Sequence, residues 1–117
     1  MSLTRSKNRL DVTVRDLAEA DLANGFLDAL TALSEVKLTK EQARTVYSQL
    51  APNLWTFVAA FQDRVVGTTR LLIERKFVGG GGLVGHVEDV AVAPPFQHRG
   101  VGTALVGHAI AAAQRSG

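Results

Sequence analysis

Two short stretches hold residue types at spacings that can do chemistry. Gln97-His98-Arg99-Gly100-Val101-Gly102-Thr103-Ala104 sets two glycines where a strand-like run gives way to an alanine-rich one. Glycines remove Cβ atoms where a ligand approaches the backbone. The unpaired N–H groups of a first helical turn then face outward, with the positive end of the helix dipole behind them. That is an anion site of the pyrophosphate kind. Glycine pairs also open helices for packing reasons, so the spacing Q-x-x-G-x-G alone leaves both readings open. The second stretch is Glu88-Asp89. Neighbours in a regular strand point to opposite faces, which excludes a carboxylate dyad. Each acid is then either a lone orienting or proton-accepting group or a solvated strand residue. His86 shares the Glu88 face and reads as a structural or surface residue. His98 lies inside the turn, His108 belongs to the surface of the following helix, and three scattered histidines predict no metal site.

The elements that must position these residues are legible from periodicity. Leu10 to Arg15 alternates apolar and polar residues, as a half-buried strand requires. Leu22, Phe26, Leu30 and Leu33 recur at helical steps and predict one helix over 21–36 despite Gly25. Thr39-Lys40-Glu41-Gln42 has the form of a capping box, which predicts a second helix to about Leu50, with Pro52 limiting its extension. Trp55–Phe61 and Val65–Glu74 are apolar and β-rich with Gln62-Asp63-Arg64 between them, and read as an antiparallel hairpin. Gly79 to Gly82 is four glycines in a row, a flexible connecting loop rather than a phosphate cradle, since no P-loop Lys-Ser/Thr pair follows. His86–Ala93 is a further strand ended by Pro94-Pro95. From Gly100 onward an alanine-rich helix presents Val101, Leu105, Ala109 and Ala112 to a sheet.

Length and composition set bounds on all of this. The chain has 117 residues and no cysteine, enough for one domain and without disulfides, thiolate metal sites or a thiol nucleophile. A formal charge of +2 with no concentrated basic stripe argues against nucleic-acid binding. The cluster from Arg5 to Arg9 reads as a polar tail over residues 1–9. No apolar run approaches a spanning helix and the start lacks a secretory core, so a cytoplasmic protein is expected.

Together, strand 85–93, Pro94 to Phe96, the Q-x-x-G-x-G turn and the alanine-rich helix resemble the acetyl-CoA-binding core of the GNAT N-acetyltransferase superfamily. A dinucleotide fold would carry G-x-G-x-x-G and a P-loop G-K-[ST], and neither string is present. Within the superfamily the chain resembles eukaryotic-type glucosamine-6-phosphate N-acetyltransferases over nearly its whole length. The shared strings are Val14-Arg15-Asp16-Leu17, Leu33-Ser34-Glu35, Leu72-Ile73-Glu74-Arg75-Lys76-Phe77 and, most specifically, Gly85-His86-Val87-Glu88-Asp89-Val90.

The resemblance implies an α/β (α+β) fold over 10–117, with a mixed, mostly antiparallel sheet flanked by helices. It implies acetyl transfer from acetyl-CoA to the amine of glucosamine 6-phosphate, feeding UDP-N-acetylglucosamine synthesis, by a homodimer. Val90, Ala91 and Val92 would pair with the pantetheine arm, and Gln97, His98, Arg99, Gly100, Val101, Gly102 and Thr103 would hold the pyrophosphate. Ser34, Lys76, Glu88 and Asp89 would contact the sugar phosphate, with Glu88 or Asp89 as the catalytic group. No metal, nucleic acid or membrane is implied. Relatives commonly carry a His at the position of Gly79. They also continue with a strand, an Asn-containing turn, a Tyr-bearing helix and a final strand, whereas this sequence stops at Gly117. The expectation is therefore a fold lacking its C-terminal strands, with impaired or absent catalysis. The alternatives are a noncatalytic acetyl-CoA-binding or assembly module, or transfer to another small amine.

Overall fold

The computed structural model describes residues 9–116. The predicted tail, apart from Arg9, and the terminal Gly117 lie outside the described residues. Four strands, β1 (Thr13–Asp16), β2 (Leu54–Phe61), β3 (Arg64–Arg75) and β4 (Leu83–Val92), form one sheet in the order β1-β2-β3-β4. Every neighbouring pair is antiparallel.

The β2–β3 hairpin is the one the sequence predicts. Gln62 and Asp63 both take positive φ, 50° and 63°, the geometry whose twist matches that of paired strands. At the other end of β3 the glycine run closes the hairpin to β4 through a helical turn over Val78–Gly81. Gly79 and Gly80 both sit at φ 72°, and the Lys76 N–H donates to the Gly82 carbonyl at 2.9 Å. β1 begins at Thr13 rather than at Leu10, because Leu10 instead donates its N–H to the Arg99 carbonyl at 2.8 Å.

The single helix expected over 21–36 does not form. A 3-10 turn covers Glu19–Ala23, and a short helix α1 covers Phe26–Leu30. Gly25 separates them at φ 99°, where a Cβ would lie 2.3 Å from the Val65 carbonyl oxygen. The chain is pinned there by the Val65 N–H donating to the Asn24 carbonyl at 3.1 Å. Leu33, past the end of α1, is exposed and leaves the apolar stripe. Asp21 is buried and accepts both Arg15 Nη1 and Nη2, at 2.7 and 2.9 Å, and the Ala18 N–H at 2.8 Å. Those bonds from Arg15 hold its carboxyl below the usual range, against the opposing effect of burial.

α2 (Lys40–Ser48) begins as its capping box predicts: the Gln42 N–H donates to Thr39 Oγ1 at 3.1 Å, and the Thr39 N–H to Gln42 Oε1 at 2.9 Å. α3 (Val101–Ser116) buries Val101, Leu105 and Ala109 against one sheet face. It approaches closely because β3 carries Gly67, where a Cβ would sit 3.0 Å from Val101 Cγ1. His108, expected at the surface, is half-buried with its ring edge-on to Phe57, centroids 4.7 Å apart. The opposite face, bearing Thr56, Thr68 and Arg70, lies under α1 and α2.

Candidate functional site

β4 is irregular where the Glu-Asp string falls. Thr68 pairs with Ala91 and Arg70 with Glu88, so Asp89 and Val90 together oppose the single residue Thr69. This is a β-bulge, and Asp89 takes φ 54° within it. Aspartate tolerates the left-handed region better than most side chains. The bulge corrects the expectation that Glu88 and Asp89 alternate in a regular strand. It is braced from β3: Thr69 Oγ1 donates to the Glu88 carbonyl at 2.9 Å, and Arg70 Nη1 to Asp89 Oδ2 at 3.3 Å. Glu88 itself is exposed and, among the described residues, its carboxylate has no partner.

Beyond the bulge β4 ends in a 3-10 turn over Pro94–Phe96, and Gln97 Nε2 reaches back to the Val92 carbonyl at 2.9 Å. His98 and Gly100 take φ 62° and 83°, turning the chain into α3. The first i to i−4 bond of that helix runs from the Ala104 N–H to the Gly100 carbonyl at 3.0 Å. The N–H groups of Val101, Gly102 and Thr103 therefore precede the ladder and open into a hollow of about 360 Å³. Val90 and Val92 form its β4 side and Gln97, His98 and Gly100 its rim. A Cβ on Gly102 would stand 3.8 Å from Val90 Cγ1 and narrow the groove between α3 and β4. A diphosphate fits this arrangement: open backbone donors, a 16-residue helix dipole and a missing side chain. Of the expected cofactor residues, Ala91 is buried beneath the groove and Arg99 is half-buried outside its lining.

A second cavity, about 330 Å³, lies on the other sheet face between α1, α2 and the strands. Its floor carries Thr56, Thr68, Arg70 and Asp89, and its walls are apolar apart from the half-buried Tyr47. Asp89 thus lines one cavity and Val90 the other, and the bulge is the wall between them. Arg70 was not singled out by the sequence, and Tyr47, the chain's one tyrosine, is given no role by its place on the second helix. Arg70 is the one charged residue inside the otherwise uncharged run Val65–Ile73, the signal that could have found it.

The two remaining sugar-side candidates are not brought to the bulge within this chain. Lys76 follows the last residue of β3, six positions from Arg70 and so roughly 20 Å along the strand. There it pairs with Glu74 at 2.9 Å, and Glu74 lies 3.4 Å from His86 Nε2. The hydrogen bond from Lys76, then its charge, lowers the Glu74 carboxyl, with a smaller contribution from His86. Ser34 is exposed on the turn after α1, outside the lining of either cavity. Among the described residues no group of three or more His, Asp and Glu could hold a metal ion, and no helix is long and apolar enough to cross a membrane.

A bulged strand, a glycine turn and a helix N-terminus follow one another here, an arrangement able to hold a diphosphate by backbone groups. The acetyltransferase (GNAT) family model matches residues 19–117, and the chain belongs to that family of acyltransferases. It is 35% identical over 114 residues to a probable glucosamine 6-phosphate N-acetyltransferase of Oryza sativa subsp. japonica, covering 91% of this chain and 69% of the relative. To the glucosamine 6-phosphate N-acetyltransferase of Trypanosoma brucei brucei it is 36% identical over 104 residues, covering 83% and 68%. The crystal structure of glucosamine-6-phosphate N-acetyltransferase from Arabidopsis thaliana superposes with a TM-score of 0.85 at 23% identity, covering 92% of this chain and 77% of that one, and shares the fold.

Proposed function

We propose that this protein transfers an acetyl group from acetyl-CoA to the amine of glucosamine 6-phosphate. The observation that carries the reading is the bulge at Asp89-Val90, set directly against the glycine turn and the start of α3. GNAT acetyltransferases use acetyl-CoA, which supplies an already activated acyl thioester. The relatives' names supply the acceptor.

The chain's own groups then have distinct tasks. The N–H groups of Val101, Gly102 and Thr103 neutralise the pyrophosphate, and the backbone of Val90 to Val92 holds the pantetheine arm extended along β4. At the bulge, backbone groups are released from the ladder and polarise the thioester carbonyl. Glu88, exposed beside the bulge, takes the proton from the acceptor ammonium, directly or through a water. Asp89, held by Arg70, orients the acceptor. Lys76 lies too far along β3 to share that pocket within one chain, so its contact with the sugar phosphate is across a homodimer.

Thiol release with acetyl-CoA and glucosamine 6-phosphate is the direct test. This reading expects turnover, against the impaired or absent catalysis that the resemblance implied, with Glu88→Gln lowering kcat by about a hundredfold and Asp89→Asn acting chiefly on KM. Turnover with other small amines, but none with glucosamine 6-phosphate, would displace the acceptor assignment. CoA binding with no amine acetylated would leave a noncatalytic binding module.

A further inference from the structure

The cleft under α1 and α2 is larger and less polar than an acetyl group or an amino sugar needs. It holds about 330 Å³ and is walled by residues such as Leu22, Phe26, Leu30 and Val46. Its polar floor is only partly satisfied: the Thr68 hydroxyl donates to the Phe57 carbonyl at 2.8 Å and Arg70 Nη1 pairs with Asp89 at 3.3 Å, while Arg70 Nε is buried without a partner. A sugar phosphate can meet the half-exposed Asp89 at the cleft mouth, but placed deeper it would strand its hydroxyls against apolar walls. An acetyl methyl would leave most of the space empty. The cleft meets the groove beside α3 through consecutive residues, Asp89 facing one and Val90 the other. A thioester carried along Val90 to Val92 therefore arrives at the cleft mouth with its acyl group leading.

We infer that the cleft is an acyl pocket, and that the protein accepts straight-chain acyl-CoA donors of about four to six carbons in addition to acetyl-CoA. This inference rests on the acyl-transfer reading and extends it to the donor. The step is unchanged: the neutral amine nitrogen attacks the thioester carbon, the C–N bond forms, the C–S bond breaks, and the sulfur leaves as CoA thiol with the proton lost by the amine. The longer chain adds burial beyond the reacting carbon. Full burial of each methylene raises affinity about fourfold.

The test titrates the protein with CoA, acetyl-CoA, butyryl-CoA and hexanoyl-CoA by calorimetry, then measures thiol release from each donor with glucosamine 6-phosphate. Affinity is expected to rise by up to about fourfold per methylene from acetyl to hexanoyl. Val46→Trp fills the cleft from a half-exposed position and should remove that increment, with unmodified CoA as the control for folding. Ile110→Trp, exposed on α3 and outside both cavities, should keep it. Flat or falling affinity from acetyl to hexanoyl, with CoA still bound, overturns the acyl pocket and leaves the acetyl-transfer reading intact. An increment that survives Val46→Trp also overturns it. A rising series with no turnover on glucosamine 6-phosphate supports the pocket and counts against the acceptor, while failure to bind CoA at all would overturn both.

Discussion

At the scale of single residues, the site depends on one unusual backbone angle. Asp89 sits at φ 54°, where a non-glycine side chain is crowded against its own carbonyl. Asparagine visits this region readily and a β-branched residue does not. Asp89→Asn should therefore keep the bulge, and Asp89→Val should unfold at lower urea, by about 1–2 kcal/mol relative to the Asn variant. The Val variant should also lose CoA affinity, because flattening the bulge returns its freed backbone groups to the β3 ladder. Equal stability of the two variants would show that the bulge does not depend on this residue. The bulge was also the hardest feature to read from sequence. Gly85 to Ala93 has the composition of a continuous strand, and nothing in it marks an extra residue against Thr69. The glycine turn was readable because its chemistry is local: Gly100 supplies the positive φ, and Gly102 keeps the groove beside Val90 open. Arg70 and Tyr47 become site residues only through strand pairing and helix packing, which sequence periodicity does not report.

At the scale of elements, two contacts decide where the first half of the chain lies on the sheet. Gly25 packs against β3 with no room for a methyl, whose carbon would lie 2.3 Å from the Val65 carbonyl oxygen, at an angle only glycine takes comfortably. Gly25→Ala should cost roughly 3 kcal/mol or more, from strain and overpacking together, and chemical denaturation measures it. That contact also explains why the helical spacing of Leu22, Phe26 and Leu30 overstated the helix: the apolar face is real, but it is divided between a 3-10 turn and a five-residue helix. The capping box of α2 was legible for the opposite reason, since both of its bonds form within four consecutive residues. The second contact is Arg15 with Asp21, joining β1 to the 3-10 turn. Asp21 has its carboxyl lowered from the ordinary 3.8, chiefly by the Arg15 hydrogen bonds. A depressed folded-state value contributes stability that is complete above the ordinary carboxylate range and is lost as pH falls through the folded value. Asp21→Asn should cost about 1–2 kcal/mol near neutrality, a moderate figure because Arg15 is partly solvated. The difference from the parent protein should shrink between about pH 5 and pH 2 in urea titrations. A constant difference across that window would assign the effect to packing alone.

At the scale of the whole molecule, the sheet is covered unevenly. The radius of gyration is 15.3 Å, against roughly 13 Å for a compact domain of this length. The extents are 46, 43 and 22 Å, a flat body with the groove between α3 and β4 along one margin. That margin is β4, whose outer edge pairs with no strand among the described residues. Leu83, Val84, Val87 and Val90 are all exposed along it, and Phe77 and Val78 project from the adjoining turn. The stretch Leu83 to Val87 of that unpaired edge, clear of the groove at Val90 to Val92, is a template for a second chain. A homodimer across it also accounts for Lys76, which lies at the far end of the same hairpin from its own bulge and next to the surface a second copy would cover. Light scattering of the full chain at tens of micromolar should give a dimer. Val84→Lys with Val87→Lys, charges on either face of the edge, should shift the population to monomer. The coupling to function is the sharper readout. If Lys76 serves the neighbouring chain, the monomeric variant should keep CoA affinity and lose glucosamine 6-phosphate affinity, and mixing Lys76→Ala subunits with Glu88→Gln subunits should restore turnover in the hybrid. A monomeric parent protein, or an inactive hybrid in a verified dimer, would return Lys76 to an ordinary partner of Glu74.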